Sequence, residues 1–277
     1  MNTTARWIEL EGAVNVRDLA GLPTEDGREV QPGRLIRSDN LQSLSAEDVV
    51  LLVDTLGVRA VADLRTSIEV SAEGPGPLTA REEVVITNLS LYPEDGFQLA
   101  PAEDGAPVVL PWEHADSDAD SDEDDTAESR RGVSGHYLTY LDSRADSVIA
   151  ALRLIAYSPG ATVVHCAAGK DRTGVVVALA LAEAGVERDA IISDYARTAE
   201  RIEAILTRLI GTNTYASMGD GTGSVDPELL ARHSPRDTTM QRLFATIDEE
   251  LGGVHVWLRS HGWSDEDAAA LRSKLLD

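Results

Sequence analysis

The 277-residue sequence predicts an α/β fold in which helices flank a central, mostly parallel sheet. Two short apolar runs, Val58–Asp63 and Ala161–Val164, have the length and content of buried strands. A helix beginning after Ser45 precedes the first run, and an apolar, alanine-rich helix over Gly174–Ala184 follows the second. Alternation of buried strands with helical segments is typical of an α/β domain.

The first 41 residues are predicted to be rich in extended segments. Residues 1–11 resemble a short arm or edge strand, and Asp26-Gly27 between two extended runs indicates a hairpin turn. Ser45 is a good N-cap, because Asp48 lies three residues later in the capping-box position. Val84–Leu91 alternates well enough to form a further strand.

The second half of the chain is predicted to be mostly helical. A helix over Gly135–Tyr157 places its apolar side chains on one face: Leu141, Ala145, Val148, Leu152 and Ile155. Arg188–Ile210 is predicted to form a charged amphipathic helix or a pair of helices. Residues 226–277 are predicted to be helical in pieces, with starts near Asp237 and Ser264.

Residues 113–128 interrupt this pattern with a run of Asp, Ser and Glu. The run lacks the glycine and the distal glutamate of an EF-hand calcium loop. It is therefore predicted to be a disordered, solvated insertion within a single domain that spans residues 1–277.

Acidic residues dominate the surface charge, with a formal net charge of -24 and only two lysines, Lys170 and Lys274. Such a charge disfavours nucleic acid and anionic membranes as partners. No apolar run approaches the ~20 residues that cross a bilayer, so stable membrane insertion is not expected. The composition fits either a high-salt cytoplasm, as in halophilic archaea, or an acidic protein from a GC-rich genome. Unfolding midpoints measured with and without molar KCl distinguish the two, because only adaptation to high salt predicts a higher midpoint in KCl.

Cys166 is the only cysteine, so the chain cannot form an internal disulfide. A catalytic cysteine must stay reduced, which indicates a reducing compartment. The N-terminus also lacks the basic and apolar regions of a signal peptide. These features predict a cytoplasmic protein, although export without a signal peptide would leave no trace in the sequence.

The stretch 165–174, His-Cys-Ala-Ala-Gly-Lys-Asp-Arg-Thr-Gly, joins a predicted strand to a predicted helix. Free N–H groups and the helix dipole favour an anion at such a junction. The small residues at 167–169 let the main chain approach a phosphate closely. Arg172 can direct two N–H donors onto phosphate oxygens, and the same field favours Cys166 as the nucleophilic thiolate.

Two other interpretations of this stretch are a nucleotide-binding loop and a structural cysteine. A nucleotide P-loop is excluded, because Val164 stands where the first glycine is required and Asp171 follows Lys170 in place of Ser or Thr. The other alternative is a buried structural cysteine that lies beside an unrelated Arg–Asp pair.

The Cys166-x5-Arg172 signature and the longer string around it resemble the protein-tyrosine phosphatase superfamily. They are most similar to its microbial branch with Lys-Asp inside the loop. A second match precedes the loop: Asn15–Gly21 reads Asn-x-Arg-Asp-Leu-x-Gly, and Gly33–Ser38 reads Gly-x-Leu-x-Arg-Ser. The resembling family also has Asp-Leu-Arg at the place of Asp63-Leu64-Arg65. The resemblance implies a tyrosine-phosphatase-like α/β fold.

The resemblance also implies phosphate-monoester hydrolysis through a cysteinyl-phosphate, without metal or cofactor. Cys166 is then the nucleophile, and the Thr173 hydroxyl can donate to its sulfur. His165 orients the loop, and Arg65 supports the site. The predicted phosphate-binding residues are Ala167, Ala168, Gly169, Lys170, Asp171, Arg172, Thr173 and Gly174.

The proton donor to the leaving oxygen is predicted among three aspartates, ranked Asp171, Asp63 and Asp95. Asp171 lies in the loop and matches the loop aspartate of the resembling family. Asp63 ends a neighbouring strand, and Asp95 follows a strand and a proline, as a mobile-loop aspartate does in ordinary tyrosine phosphatases.

The predicted substrate is a phosphorylated protein, with phosphotyrosine preferred and phosphoserine or phosphothreonine also accepted. The first alternative is a phosphoinositide or inositol phosphate, which Lys170 and a basic rim would favour; the arginines proposed for that rim are Arg17, Arg34, Arg37 and Arg65. The second alternative is a phospho-residue-binding module without turnover. The family resemblance also suggests a helical lid, for which residues 195–240 are the candidate, with glycines at 219–223 as a hinge.

Overall fold

The computed structural model describes residues 6–94, 132–212, 214–218 and 224–277. The predicted acidic insertion at 113–128, Asp95 and the predicted hinge at 219–223 lie outside the described residues. The prediction of disorder for the insertion therefore stays a prediction.

The centre of the fold is a six-stranded mixed sheet with the spatial order β1-β2-β3-β6-β4-β5. Its four adjacent strands β3, β6, β4 and β5 are parallel, and the short N-terminal strands β1 and β2 are added antiparallel at one edge. The strands are β1 Arg6–Trp7, β2 Arg17–Asp18, β3 Leu35–Ser38, β4 Val58–Asp63, β5 Val85–Asn88 and β6 Ala161–His165. The predicted α/β class with a mostly parallel sheet is confirmed.

Eleven α-helices are assigned among the described residues. They are α1 Ala46–Val50, α2 Ser67–Glu73, α3 Gly132–Ser143, α4 Ala145–Tyr157, α5 Asp171–Ala184, α6 Arg188–Ala196, α7 Ile202–Ile210, α8 Pro227–His233, α9 Asp237–Leu251, α10 Val254–Ser260 and α11 Asp265–Leu276. A π-helical segment, Leu51–Thr55, continues α1, and 3-10 turns cover Pro77–Ala80, Arg197–Arg201 and Ala216–Met218. The predicted capping box at Ser45 is present, and Ser264, predicted as a helix start, forms a second one.

The core lies on both faces of the sheet, because successive strand residues point to opposite sides. Val163 belongs to the cluster that α1 covers, whereas Val164 belongs to the larger cluster formed with α4, α5, α9 and α11. Helix α5 is buried along most of its length. The loop before it is therefore held between a central strand and a buried helix.

One predicted helix is divided in the structure, and another predicted segment forms the pair of helices that the sequence offered as an alternative. The helix predicted over Gly135–Tyr157 breaks at Arg144, whose backbone is non-helical (φ -136°, ψ 40°) and whose guanidinium donates to the carbonyl of Tyr92. Neither proline nor glycine lies at this break, so the sequence contains no helix-breaking residue that would reveal it. Arg188–Ile210 comprises α6, a 3-10 turn and α7.

Candidate active site

The loop from Cys166 to Lys170 joins β6 to α5 at the carboxyl end of the parallel strands, as the sequence predicted. Gly169 has φ +66°, and a Cβ there would lie 2.4 Å from the Ser38 carbonyl oxygen. Only glycine lets the loop turn this closely against β3. The first turn of α5 carries Asp171, Arg172 and Thr173.

Arg172 is held by a carboxylate that the sequence analysis did not identify. Its two terminal nitrogens donate to Glu69, Nη1 to Oε2 at 2.6 Å and Nη2 to Oε1 at 2.9 Å. Both residues are buried. Burial opposes charge on each, but their mutual attraction prevails, so the pKa of Glu69 is lowered and that of Arg172 is raised. The guanidinium is thus fixed and charged.

Glu69 is positioned by the N-terminus of α2, where it forms a capping box with Thr66. The Thr66-x-x-Glu69 pattern could have been found in the sequence as a helix start. Nothing local in the sequence indicates that the same carboxylate reaches Arg172, 103 residues later.

Asp171 is partly exposed and is contacted by two neighbours. The Tyr137 hydroxyl donates to Oδ1, and Lys170 Nζ lies 3.5 Å from Oδ2. Burial raises the pKa of Asp171, but the Lys170 charge and the Tyr137 hydrogen bond outweigh it, so the pKa lies below its ordinary value. Tyr137 is in turn hydrogen-bonded to Tyr195, hydroxyl to hydroxyl, at 2.8 Å.

Asp63, the second candidate for the proton donor, is more deeply buried than Asp171. It is 4% exposed, and its two oxygens accept from Arg65 Nε at 2.9 Å and Nη2 at 2.5 Å. Burial raises the pKa of Asp63, but His165 and Arg65 lower it by more. A carboxylate that is buried and has both oxygens bound to one arginine is poorly placed to reach a leaving oxygen. The geometry thus favours Asp171 over Asp63.

His165 supports the loop backbone. Its Nδ1 lies 3.1 Å from the carbonyl oxygen of Cys166 and its Nε2 lies 3.7 Å from Asp63. Burial lowers the pKa of His165, so the ring is neutral near pH 7. Because a carbonyl oxygen only accepts, Nδ1 carries the proton.

The prediction that four arginines form a basic rim is wrong for three of them. Arg17, Arg37 and Arg65 are each at most 1% exposed and are paired with buried aspartates. Arg17 and Arg37 lie opposite each other on the paired strands β2 and β3, and Arg65 lies two residues after the end of β4.

Comparison with known proteins identifies the family of this chain. The model of the tyrosine phosphatase family matches residues 8–277. The chain belongs to the tyrosine phosphatase family. It is 31% identical to the triple specificity protein phosphatase PtpB of Mycobacterium tuberculosis over 97% of this chain and 98% of the relative. It is 30% identical to a putative tyrosine-protein phosphatase of Cupriavidus necator over 95% and 85% of the two chains.

In this phosphatase family member, Cys166 is 2% exposed and belongs to the main core cluster, whereas the next residue, Ala167, belongs to a separate apolar cluster. Ala167 packs there with four buried side chains of α7 and with Tyr215; the α7 side chains are Ile202, Ile205, Leu206 and Leu209. Leu229 and Leu230 of α8 pack against the same cluster. These segments lie within the predicted lid region 195–240.

Four polar contacts connect α7, Tyr215 and α8 to the site. Tyr215 donates its hydroxyl to Glu69 Oε1 at 2.5 Å and lies 3.3 Å from Arg172 Nη2. Lys170 Nζ donates to the His233 carbonyl oxygen at 3.0 Å, and Arg208 Nε lies 3.5 Å from Asp39. Lys170 is therefore partly buried beneath the end of α8.

The Thr173 hydroxyl is buried and has no hydrogen-bond partner among the residues that the structure describes. The sequence predicted that this hydroxyl donates to the cysteine sulfur. No helix among the described residues is both long and apolar enough to cross a bilayer.

Proposed function

We propose that this chain is a protein phosphatase that hydrolyses phosphotyrosine through a cysteinyl-phosphate on Cys166 and also accepts phosphoserine and phosphothreonine. The observation that carries the proposal is the loop between β6 and α5, with its sole cysteine beside an arginine fixed by Glu69. The broad specificity is supported by the similarity to a relative named for triple specificity.

In the first step, the Cys166 sulfur attacks phosphorus in line and the bond from phosphorus to the tyrosine oxygen breaks. Loop N–H groups and Arg172 stabilise the equatorial oxygens. Asp171 gives its proton to the leaving oxygen. In the second step, water attacks the cysteinyl-phosphate while Asp171 takes up the water's proton, which releases phosphate and the thiolate.

The experiment that tests the proposed activity is release of phosphate from a phosphotyrosine peptide in the presence of a metal chelator. We expect the chelator to leave the rate unchanged, with slower hydrolysis of matched phosphoserine and phosphothreonine peptides. A rate that vanishes with the chelator, or hydrolysis of phosphoinositide vesicles but of no peptide, would contradict the proposal.

Asp171→Asn should lower kcat by about 10²-fold and remove the alkaline limb of the pH–rate profile, because the variant has no proton to donate. In the unmodified enzyme the lowered pKa of Asp171 predicts that kcat/KM falls as pH rises through the acidic range. Asp63→Asn is the comparison variant, and it should keep the alkaline limb. Loss of that limb in Asp63→Asn alone would assign the acid to Asp63.

Tyr137→Phe also tests whether Asp171 is the proton donor, with a smaller expected effect. The Tyr137 hydroxyl donates to the Asp171 carboxylate and so favours its charged form. Removing it should raise the pKa of Asp171 and move the alkaline limb of kcat/KM to higher pH. A limb that stays in place, or moves to lower pH, would contradict the role of Asp171.

We further assign α7, Tyr215 and α8, which lie within the predicted lid region, as a lid, because they pack in one apolar cluster with Ala167 and Ala168 of the loop. Leu206→Ala removes buried apolar contacts worth about 2–5 kcal/mol, which should favour the open state. As Cys166 is the only cysteine, a thiol reagent reports its exposure directly. Labelling should become at least about tenfold faster. Leu276→Ala, in the main core, is the control; equal labelling rates in both variants would contradict the lid.

The single, chemically active thiol also supports location in a reducing compartment, and we place the protein in the cytoplasm. Fractionation of the native host's cells, followed by immunoblotting, tests this assignment.

A further inference from the structure

The N-terminal segments around Asn15 and Arg37 are not explained by the chemistry above, although the sequence analysis singled out both. Neither side chain is exposed, and both lie behind the phosphate-binding loop. Asn15 Nδ2 donates to the carbonyl oxygens of Ala168 at 2.9 Å and Gly169 at 3.2 Å. Arg37 Nη2 donates to the Gly169 oxygen at 2.7 Å.

Two further contacts extend this pattern along the loop. The backbone N–H of Asn40 donates to the Ala167 oxygen at 2.9 Å, and His165 Nδ1 holds the Cys166 oxygen at 3.1 Å. Four consecutive carbonyls, from residues 166 to 169, are thus bonded to groups outside the loop.

The direction of these carbonyls fixes the direction of the loop N–H groups. In a planar trans peptide, a carbonyl and the N–H of the next residue point in opposite directions. Carbonyls held towards the protein interior at 166–169 therefore turn the N–H groups of 167–170 the other way. That arrangement lets successive N–H groups form an anion-binding concavity.

Asn15 and Arg37 are themselves fixed by a buried ion cluster. Arg17 Nη1 donates to Asn15 Oδ1 at 2.7 Å, which leaves the Asn15 amide nitrogen to face the loop. Arg17 Nε and Arg37 Nη1 both donate to Asp194 of α6, at 2.8 Å and 2.7 Å. Burial, and then the nearby Arg37, lower the pKa of Arg17 to about 10, so it stays cationic near pH 7.

From these contacts we infer that Asn15 and Arg37 are positioning residues that pre-orient the phosphate-binding loop by holding the carbonyls of Ala168 and Gly169. They do not touch the substrate. The inference rests on the proposed function, because it gives this loop the task of binding the substrate phosphate.

Asn15→Asp is the sharpest test, because aspartate retains an acceptor for Arg17 but cannot donate to a carbonyl. Asn40→Asp is the matched control: it adds the same charge next to the loop, while the side-chain oxygen of Asn40 only accepts from the Gln42 N–H. Binding of inorganic phosphate is measured by calorimetry on each folded variant, with kcat and KM for a phosphotyrosine peptide alongside.

We expect Asn15→Asp to bind phosphate at least about tenfold more weakly than Asn40→Asp, with a lower kcat, because small misplacements of a site carry losses of about 10²-fold. A merely structural role would lower the melting temperature without weakening phosphate binding by the folded protein. Equal phosphate affinities in the two variants would overturn the inference.

Arg37→Lys provides a second test if Asn15→Asp does not fold, because lysine keeps a cation beside Asp194. Its control is Arg59→Lys, whose arginine also donates to backbone carbonyls, those of Val53 and Val58, away from the loop. Weaker phosphate binding in Arg37→Lys alone supports the inference, and equal binding overturns it.

Phosphate binding requires no turnover. An unmodified chain that binds phosphate without hydrolysing esters would therefore refute the proposed function and leave the inference testable.

Discussion

Replacing Cys166 with serine is expected to lower kcat for phosphotyrosine hydrolysis by about 10⁴-fold or more, which in practice abolishes activity. A serine hydroxyl at neutral pH is a far weaker nucleophile than a thiolate, and no base among the described contacts of the loop is placed to activate it. His165 is occupied by the Cys166 carbonyl and by Asp63. The measurement is steady-state release of phosphate by the purified variant.

The same variant should still bind phosphate, because the loop N–H groups and Arg172 are unchanged. Retained phosphate binding is therefore the control that separates loss of the nucleophile from loss of the fold. Residual activity within tenfold of the unmodified enzyme would contradict a cysteinyl-phosphate mechanism.

Arg172→Lys should have the next largest effect, lowering kcat/KM by about 10³-fold. Lysine retains a positive charge but cannot donate two parallel N–H groups. It would also break the bidentate pair with Glu69, which leaves a buried carboxylate incompletely paired. We therefore expect both weaker phosphate binding and a lower melting temperature.

A double variant, Arg172→Lys with Glu69→Gln, separates the two consequences. Neutralising Glu69 should recover stability, since the unpaired charge is gone, but should not restore catalysis. Recovery of kcat/KM in the double variant would show that Arg172 acts only through the fold.

The loop and its flanking elements could be predicted because their signals are local. Val58–Asp63 and Ala161–Val164 are continuous apolar runs, and the cysteine, the arginine and the small residues of the loop are adjacent in sequence. Local composition sets strand, turn and helix there, and the structure extends the second strand by only one residue.

The partners of those residues could not be predicted, because each comes from a distant segment. Glu69 reaches Arg172, Tyr137 reaches Asp171, and Asn15 reaches carbonyls more than 150 residues later. Such contacts depend on strand order and helix packing, which no local pattern contains. The mistaken basic rim has the same origin: buried and exposed arginines look alike in sequence until the pairing with Asp194 and Asp63 is known.

The central claim is that the sulfur of Cys166 carries the phosphoryl group during turnover. It is tested most directly by acid quenching of the reaction with a phosphotyrosine peptide, followed by proteolysis and mass spectrometry. The account predicts phosphate on the peptide that contains Cys166, and its absence from the same peptide of Cys166→Ser. Phosphate on a different residue, or turnover with no phosphorylated enzyme at any quench time, would contradict it.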